Sequence, residues 1–201
     1  MQASEGRVDG RTLRYQHRRP ELLAAATEYV LDNGISDLSL RDMARALGIT
    51  HATLLRHFVS KEDLLLQVIA KIRADFVDQL SGDDQMHPDQ TASRLLRTTW
   101  KRLCDPAEQR QFVLLFEVVG RATREGGRVA DLAQASIHDW LNIIAAQLVR
   151  TGCSPKEADT LATLVLAQVR GLQVDLLLTG DRRRVDRAIE ALIEMIDRRS
   201  E

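Results

Sequence analysis

Apolar residues recur along the chain at intervals of three and four, the period of a helix with one buried face. Polar breaks divide that pattern into about nine segments. Leu22, Leu23, Ala26 and Val30 follow Pro20, which suits the first turn of a helix, and Asn33-Gly34 ends the run. Ser39 starts a short segment with Asp42 in a capping-box arrangement, Met43, Ala46 and Leu47 on its apolar side and Gly48 at its end. Thr50 caps a third segment running through Leu54 to about His57, and Ser60 with Asp63 caps a fourth that carries Leu64, Leu65, Val68, Ile69 and Ile72 until Ser81-Gly82-Asp83-Asp84 breaks it. Pro88 opens the next, with Ala92, Leu95, Leu96, Trp100 and Leu103, and Asp105-Pro106 another, with Phe112, Val113, Leu115, Phe116 and Val119. Gly126-Gly127 precedes a long helix through Val129, Ala133, Ile137, Trp140, Ile144 and Leu148. Ser154-Pro155 with Glu157 combines an N-cap, a first-turn proline and a capping-box acid, and its helix runs to Thr179-Gly180. Arg182 to Arg199 makes the last, with Val185, Ile189, Leu192, Ile193 and Ile196. The fold class expected is all-α.

Composition agrees. Of 201 residues only 11 are Gly and 4 Pro, and 4% are aromatic, too few for a many-turned β-sandwich. Hydrophobic residues at 44% and charged residues at 28% exclude a disordered chain. No uncharged apolar run approaches a membrane span and the polar N-terminus resembles no signal peptide, so a cytoplasmic protein with no membrane partner is expected. Cys104 and Cys153 are too isolated for a disulfide framework or metal site. No metal or other cofactor is expected.

The net charge of −1 looks unsuited to a nucleic-acid partner until it is divided along the chain. Residues 11–61 carry eight cations against five anions, a balance of +3, whereas 62–201 carry 19 against 22, a balance of −3. Residues 1–19 read as a flexible arm with arginines at 11, 14, 18 and 19, which either enter a minor groove or stay solvated, the solvated tail being favoured.

The second and third segments are short and joined around Gly48-Ile49, the connection a helix-turn-helix needs. In such a pair the second helix enters the major groove, while cations, hydroxyls and helix N-termini hold phosphates. The stretch from about Arg19 to Val68, above all Leu47-Gly48-Ile49-Thr50-His51-Ala52-Thr53-Leu54-Leu55-Arg56-His57-Phe58-Val59-Ser60-Lys61-Glu62-Asp63-Leu64, resembles the DNA-binding domain of the TetR family of bacterial transcriptional regulators. That resemblance implies a base contact from Arg41 near the start of the second helix, and a DNA contact from Ser39 at its N-cap. It implies base or phosphate contacts from His51 and Arg56, and backbone contacts from Thr50, Thr53, His57 and Lys61. Bracing of the domain is an equal reading for His57, and Arg45 reads as a solvated surface charge. Leu55 departs from the family's usual tyrosine, so a phosphate hydrogen bond gives way to an apolar contact such as a thymine methyl.

The resemblance further implies a C-terminal effector-binding and dimerisation domain. The expected organisation is an arm at 1–19, a helix-turn-helix domain at 20–66 with a linking helix from about 61, and the body at 67–201. The aromatics gathered in the middle helices, Trp100, Phe112, Phe116 and Trp140, with Glu117 and Asn142 as polar groups, are the candidate pocket for a small-molecule effector; core packing is the competing explanation for each. Leu161, Val165, Val169, Leu172 and Leu176, with Ile189, Leu192 and Ile196 of the last helix, are the candidate homodimer surface that would complete a four-helix bundle.

Three functions remain open on the sequence. The first is a ligand-responsive homodimeric repressor of a palindromic double-stranded DNA operator; the second, a dimeric small-molecule binder or adaptor with a vestigial helix-turn-helix. The third, an α-helical enzyme, is disfavoured. The five histidines form no H-x-x-x-H pair, no G-x-S-x-G or phosphate loop occurs, and the adjacent His138 and Asp139 do not face each other on a helix.

Overall fold

The computed structural model describes residues 10–82 and 91–200, and among them there are nine helices and no strand. They divide into two compact units, up to Ile72 and from Arg73 onward, a boundary inside the fourth helix.

The first unit contains α1 (Gly10–Asn33), α2 (Leu40–Ala46), α3 (His51–His57) and the start of α4 (Lys61–Gly82). Its core is Ala26, Val30, Ile35, Leu38, Met43, Ala44, Leu54, Phe58, Leu64, Leu65 and Val68, all buried. At about 1.5–3 kcal/mol for each large apolar side chain removed from water, these anchors hold helices too short to persist alone. One expectation fails here. Residues 10–19, read as arm, belong to α1, and Pro20 lies inside that helix rather than at its start. The run Arg11 to Arg19 lacks Gly and Pro and holds four arginines, so helix propensity extends α1 where no apolar period marks it. Residues 1–9 lie outside the described residues.

The joint between α2 and α3 takes four residues, 47–50. Gly48 adopts φ +67, donating its N–H to the Arg45 carbonyl at 3.1 Å, while Ile49 N–H reaches the Ala44 carbonyl at 3.0 Å. Two of the last carbonyls of α2 are thus satisfied in a Schellman arrangement. Thr50 then starts α3, its Oγ1 accepting from Thr53 N–H at 3.1 Å. Space around Gly48 is open, so the positive φ alone demands glycine.

The second unit holds the rest of α4, then α5 (Ala92–Leu103), α6 (Pro106–Glu125), α7 (Gly127–Arg150), α8 (Pro155–Thr179) and α9 (Arg182–Ser200). Pro88, expected to open α5, lies outside the described residues, and the observed N-cap is Thr91, whose hydroxyl accepts from Arg94 N–H. Glycines with positive φ, Gly126 after α6 and Gly180 after α8, end the long helices where the sequence suggested, and Gly127, also at positive φ, opens α7. α7 and α8, joined by a four-residue turn, pack as an antiparallel pair; α8 and α5 each pack on α9, and α6 on α7. α8 is long and apolar enough to cross a membrane by length and composition, but eight of its side chains are buried inside this unit.

Gly48→Ala should destabilise the first unit by about 1–2 kcal/mol, the cost of a left-handed backbone for a residue with a Cβ. A urea melt followed by circular dichroism measures it, and an unchanged midpoint would show that the turn relaxes to another geometry.

Candidate functional site

A seven-residue helix has one side to bury, and α3 gives that side to Leu54, which is fully buried. Ala52, Leu55 and Arg56 face outward, with His51, Thr53 and His57 half-exposed. The outward face is therefore polar except at Ala52 and at Leu55, 38% exposed, which stands in the middle of it. Two features that sequence reasoning passed over complete the surface. Ala52 is small enough for a ligand backbone to approach closely, and Val59, 85% exposed, projects from the turn after α3.

α2 contributes its first turn. Ser39 Oγ accepts from Asp42 N–H at 3.4 Å, so this hydroxyl is a helix cap. Arg41 is exposed, and no carboxylate among the described residues pairs with it. Arg45 instead hydrogen-bonds Asp42 at 2.9 Å on an open surface, as its reading as a solvated charge requires. At the other end, the Thr50 and Thr53 hydroxyls lie 2.8 Å apart, so one donates to the other and a single hydroxyl proton remains for an outside acceptor.

The turn from α3 into α4 is fixed by a polar chain. Ser60 Oγ accepts from Asp63 N–H at 3.0 Å, and Asp63 Oδ2 accepts from Val59 N–H at 3.1 Å and from Gln67 Nε2 at 3.0 Å. Arg19 of α1 donates to Gln67 Oε1 at 3.2 Å. Arg19, grouped with the arm arginines in the sequence, is thus tied to α4 within the domain. Lys61 is half-exposed in the first turn of α4. His57 sits between the two functions it was offered. Its ring lies 6.5 Å from that of Phe58, and burial, with Arg19 and then Arg56 nearby, lowers its pKa from the ordinary histidine value. A cation-rich, partly desolvated imidazole stays neutral near pH 7.

The second unit rearranges the candidate pocket. A cavity of about 90 Å³ is lined from α5 (Leu95, Leu96, Thr99), α7 (Trp140, Ile144, Gln147), α8 (Val165, Leu166, Val169) and Ile196 of α9. Of the six residues proposed, only Trp140 lines it. Trp100 is a core brace, 3% exposed, with Nε1 donating to Asp186 Oδ1 at 2.7 Å; Asp186 also accepts from Arg182 Nε at 2.7 Å. Phe112 and Phe116 pack together on α6 with ring centroids 6.4 Å apart, Glu117 is half-buried on the same helix, and Asn142 is exposed. Aromatic content marks core as strongly as cavity, and Trp100, Phe112 and Phe116 lie outside this cavity's lining.

The candidate dimer surface needs correction too. Leu161, Val165, Val169, Leu176, Ile189, Leu192 and Ile196 are buried within the chain itself, with Leu172 packed against them. The stripe is core. Large apolar side chains left outside on these helices are Leu164, Leu178 and Met195, at 51%, 81% and 53% exposure. Cys104 is buried, and burial pushes its thiol up to about 11, a setting for packing rather than nucleophilic chemistry.

Residues 22–68 match the family model described as bacterial regulatory proteins, tetR family. The HTH-type transcriptional repressor KstR2 of Mycolicibacterium smegmatis is 37% identical over 82 residues, 41% of this chain and 38% of that repressor, so the match spans well under half of the relative's length. Two solved structures share the fold over almost the whole chain. A TetR-family transcriptional regulator from Cytophaga hutchinsonii has a TM-score of 0.77 at 16% identity, covering 92% of this chain and 95% of its own. A transcriptional regulator from Saccharomonospora viridis, solved in complex with choline, has a TM-score of 0.76 at 24% identity, covering 90% and 96%.

A histidine whose pKa is lowered by folding takes up its proton later in the folded than in the unfolded state. Its contribution is present above the unfolded pKa and is lost as pH falls from about 6.5 through the depressed value. The first unit should therefore lose stability over that interval, and His57→Gln should flatten the loss. A pH series of urea melts measures this; an identical slope in the variant would place the titrating group elsewhere.

Proposed function

Given that the chain belongs to the TetR family of bacterial regulatory proteins, we propose that it is a homodimeric, ligand-responsive DNA-binding repressor of the cytoplasm. It occupies a palindromic operator and leaves when a small molecule enters its larger unit. The observation that carries the reading is the outward face of α2 and α3, where an uncompensated Arg41 stands beside a recognition helix whose only buried side chain is Leu54.

Arg41 forks onto guanine O6 and N7, the commonest specific contact in a major groove. His51 and Arg56 reach base edges or phosphates, Leu55 packs on a thymine methyl, and Thr50, Thr53 and Lys61 hold the backbone. Ser39 acts chiefly through the helix it caps. His57 braces the domain as a neutral imidazole.

Two copies place two such helices about 34–36 Å apart, or a multiple of that, on a palindrome. The surface that joins them is the leftover apolar side of α8. Leu164, Gly171 and Leu178 recur there at seven-residue intervals, with the small exposed Ala167 between, and Met195 of α9 adds to it. Such a seam fits a two-fold four-helix bundle. The choline complex of the Saccharomonospora viridis regulator supports a small-molecule effector for this chain in kind, not in identity. An effector that binds the unit more tightly in the conformation with unsuitable half-site spacing shifts the population away from DNA.

Selection from random DNA should return a two-fold site whose affinity falls steeply with salt. No preferred site would favour the small-molecule-binding or adaptor reading. Arg41→Ala should cost about 1–3 kcal/mol and relax one base position per half-site; equal loss on every sequence would recast it as a phosphate contact. Light scattering should give a dimer that Leu164→Arg converts to a monomer with unchanged helix content, and a variant that stays dimeric would move the interface elsewhere.

A further inference from the structure

Arg170 and Gln173 stand three residues apart on α8 and are neighbours on one side of it. Gln173 is 3% exposed, and neither its Nε2 nor its Oε1 has a hydrogen-bond partner. Buried amides are almost always satisfied, because an unmade bond carries the full desolvation cost of the group. Arg170 beside it is largely withdrawn from solvent, burial holds its guanidinium pKa below the ordinary value, and no carboxylate among the described residues pairs with it. Other arginines of this unit do have acids: Arg102 with Glu108 and Arg184 with Asp175.

The pair lies just beyond the residues of α8 that line the cavity. Leu166 and Val169 line it, Arg170 follows Leu166 by four residues, and Gln173 follows Val169 by four, each one turn farther along the same side of α8. The cavity is apolar apart from Thr99 and Gln147. We propose that Arg170 and Gln173 form the polar end of the effector site, and that the effector is an organic monocarboxylate with an apolar body. The body fills the cavity beside Trp140 and Val169. The carboxylate lies one turn along α8, where the guanidinium grips both oxygens and Gln173 Nε2 donates to one of them, leaving Oε1 to accept a guanidinium N–H. A single guanidinium balances a single negative charge, which disfavours a doubly charged phosphate monoester in such surroundings. The inference rests on the reading of the chain as effector-responsive and names the chemistry of that effector.

Titration calorimetry of the full chain without DNA tests it, using saturated monocarboxylates from acetate to decanoate against the corresponding primary alcohols. The longer acids should bind one per chain, about tenfold or more tighter than the alcohols of equal length, and acetate should not bind. Arg170→Met and Gln173→Leu should each remove that preference, whereas Arg170→Lys should keep most of it. Without ligand, the Met and Leu variants should melt about 2 °C or more above the parent, because each removes a buried polar group that nothing satisfies. Equal binding of acids and alcohols, no binding by either, an acid preference that survives both variants, or a lower melting temperature in them would overturn the proposal. Binding of the acids by a chain with no preferred DNA site would refute the regulator reading and leave this one standing. A selected operator with no acid bound would do the reverse.

Discussion

Everything the first unit can do depends on holding a two-turn helix in place. Seven residues cannot sustain a helix in water, since nucleation consumes most of the hydrogen bonds so short a segment can form. α3 persists because both its ends are fixed and its one inward residue is buried. Thr50 caps it behind a turn that glycine alone makes without strain, and Leu54 and Phe58 are fully buried. At its exit, Asp63 receives both the Val59 amide and Gln67, which is in turn held by Arg19. With so much of its fixing supplied from outside, α3 can leave the rest of its surface to polar side chains. A reading helix with a broader apolar stripe would be sturdier alone and would have fewer positions left for bases.

The second unit solves an opposite problem, an excess of apolar surface. α8 buries Leu161, Val165, Val169 and Leu176 against its neighbours and still has Leu164 and Leu178 left over. A helix apolar on more than one side must be covered on more than one side. The ties around its inner face are specific: Arg97 reaches Glu190 between α5 and α9, Trp100 reaches Asp186, and Arg184 joins the end of α8 to the start of α9 through Asp175, whose carboxyl it holds below the usual range. These contacts fix one packing of the inner face and do nothing for the outer one.

How far the sequence revealed this follows from how local each feature is. Caps and turns are local, so Ser39, Thr50, Ser154 and the positive-φ glycines marked helix ends within a residue or two. Side-chain period located the core helices but not which side of α8 met its own chain. The stripe from Leu161 to Leu176 was assigned to a partner because nothing local distinguishes an inner from an outer apolar face. The aromatic positions failed for a similar reason: Trp100 and Trp140 look alike in sequence, and only tertiary packing gives one to Asp186 and the other to a cavity. Helix α1 ran past Pro20 because propensity alone, without an apolar period, extended it toward Gly10. Arg170 and Gln173 did leave a trace, as polar residues set into an otherwise apolar stretch, but that pattern is also what a solvated edge produces.

The two units differ most in how they treat buried polarity. In the first, the caps and the Asp63 chain give their polar groups partners nearby, as the proposed DNA-reading surface would need in order to keep its shape. In the second, an amide is buried with neither atom satisfied, beside an arginine with no acid. A fold under no demand except stability would replace such a pair with apolar side chains, as at the other buried positions of α8. Their presence in the apolar helix that also lines the cavity and carries the leftover seam puts the unmet chemistry on the one element where binding, packing and association meet. A ligand that satisfied the pair would act on the inner face of α8, while association would act on the outer. One rigid helix between the two would give a physical route by which occupancy of the cavity is felt across the proposed dimer.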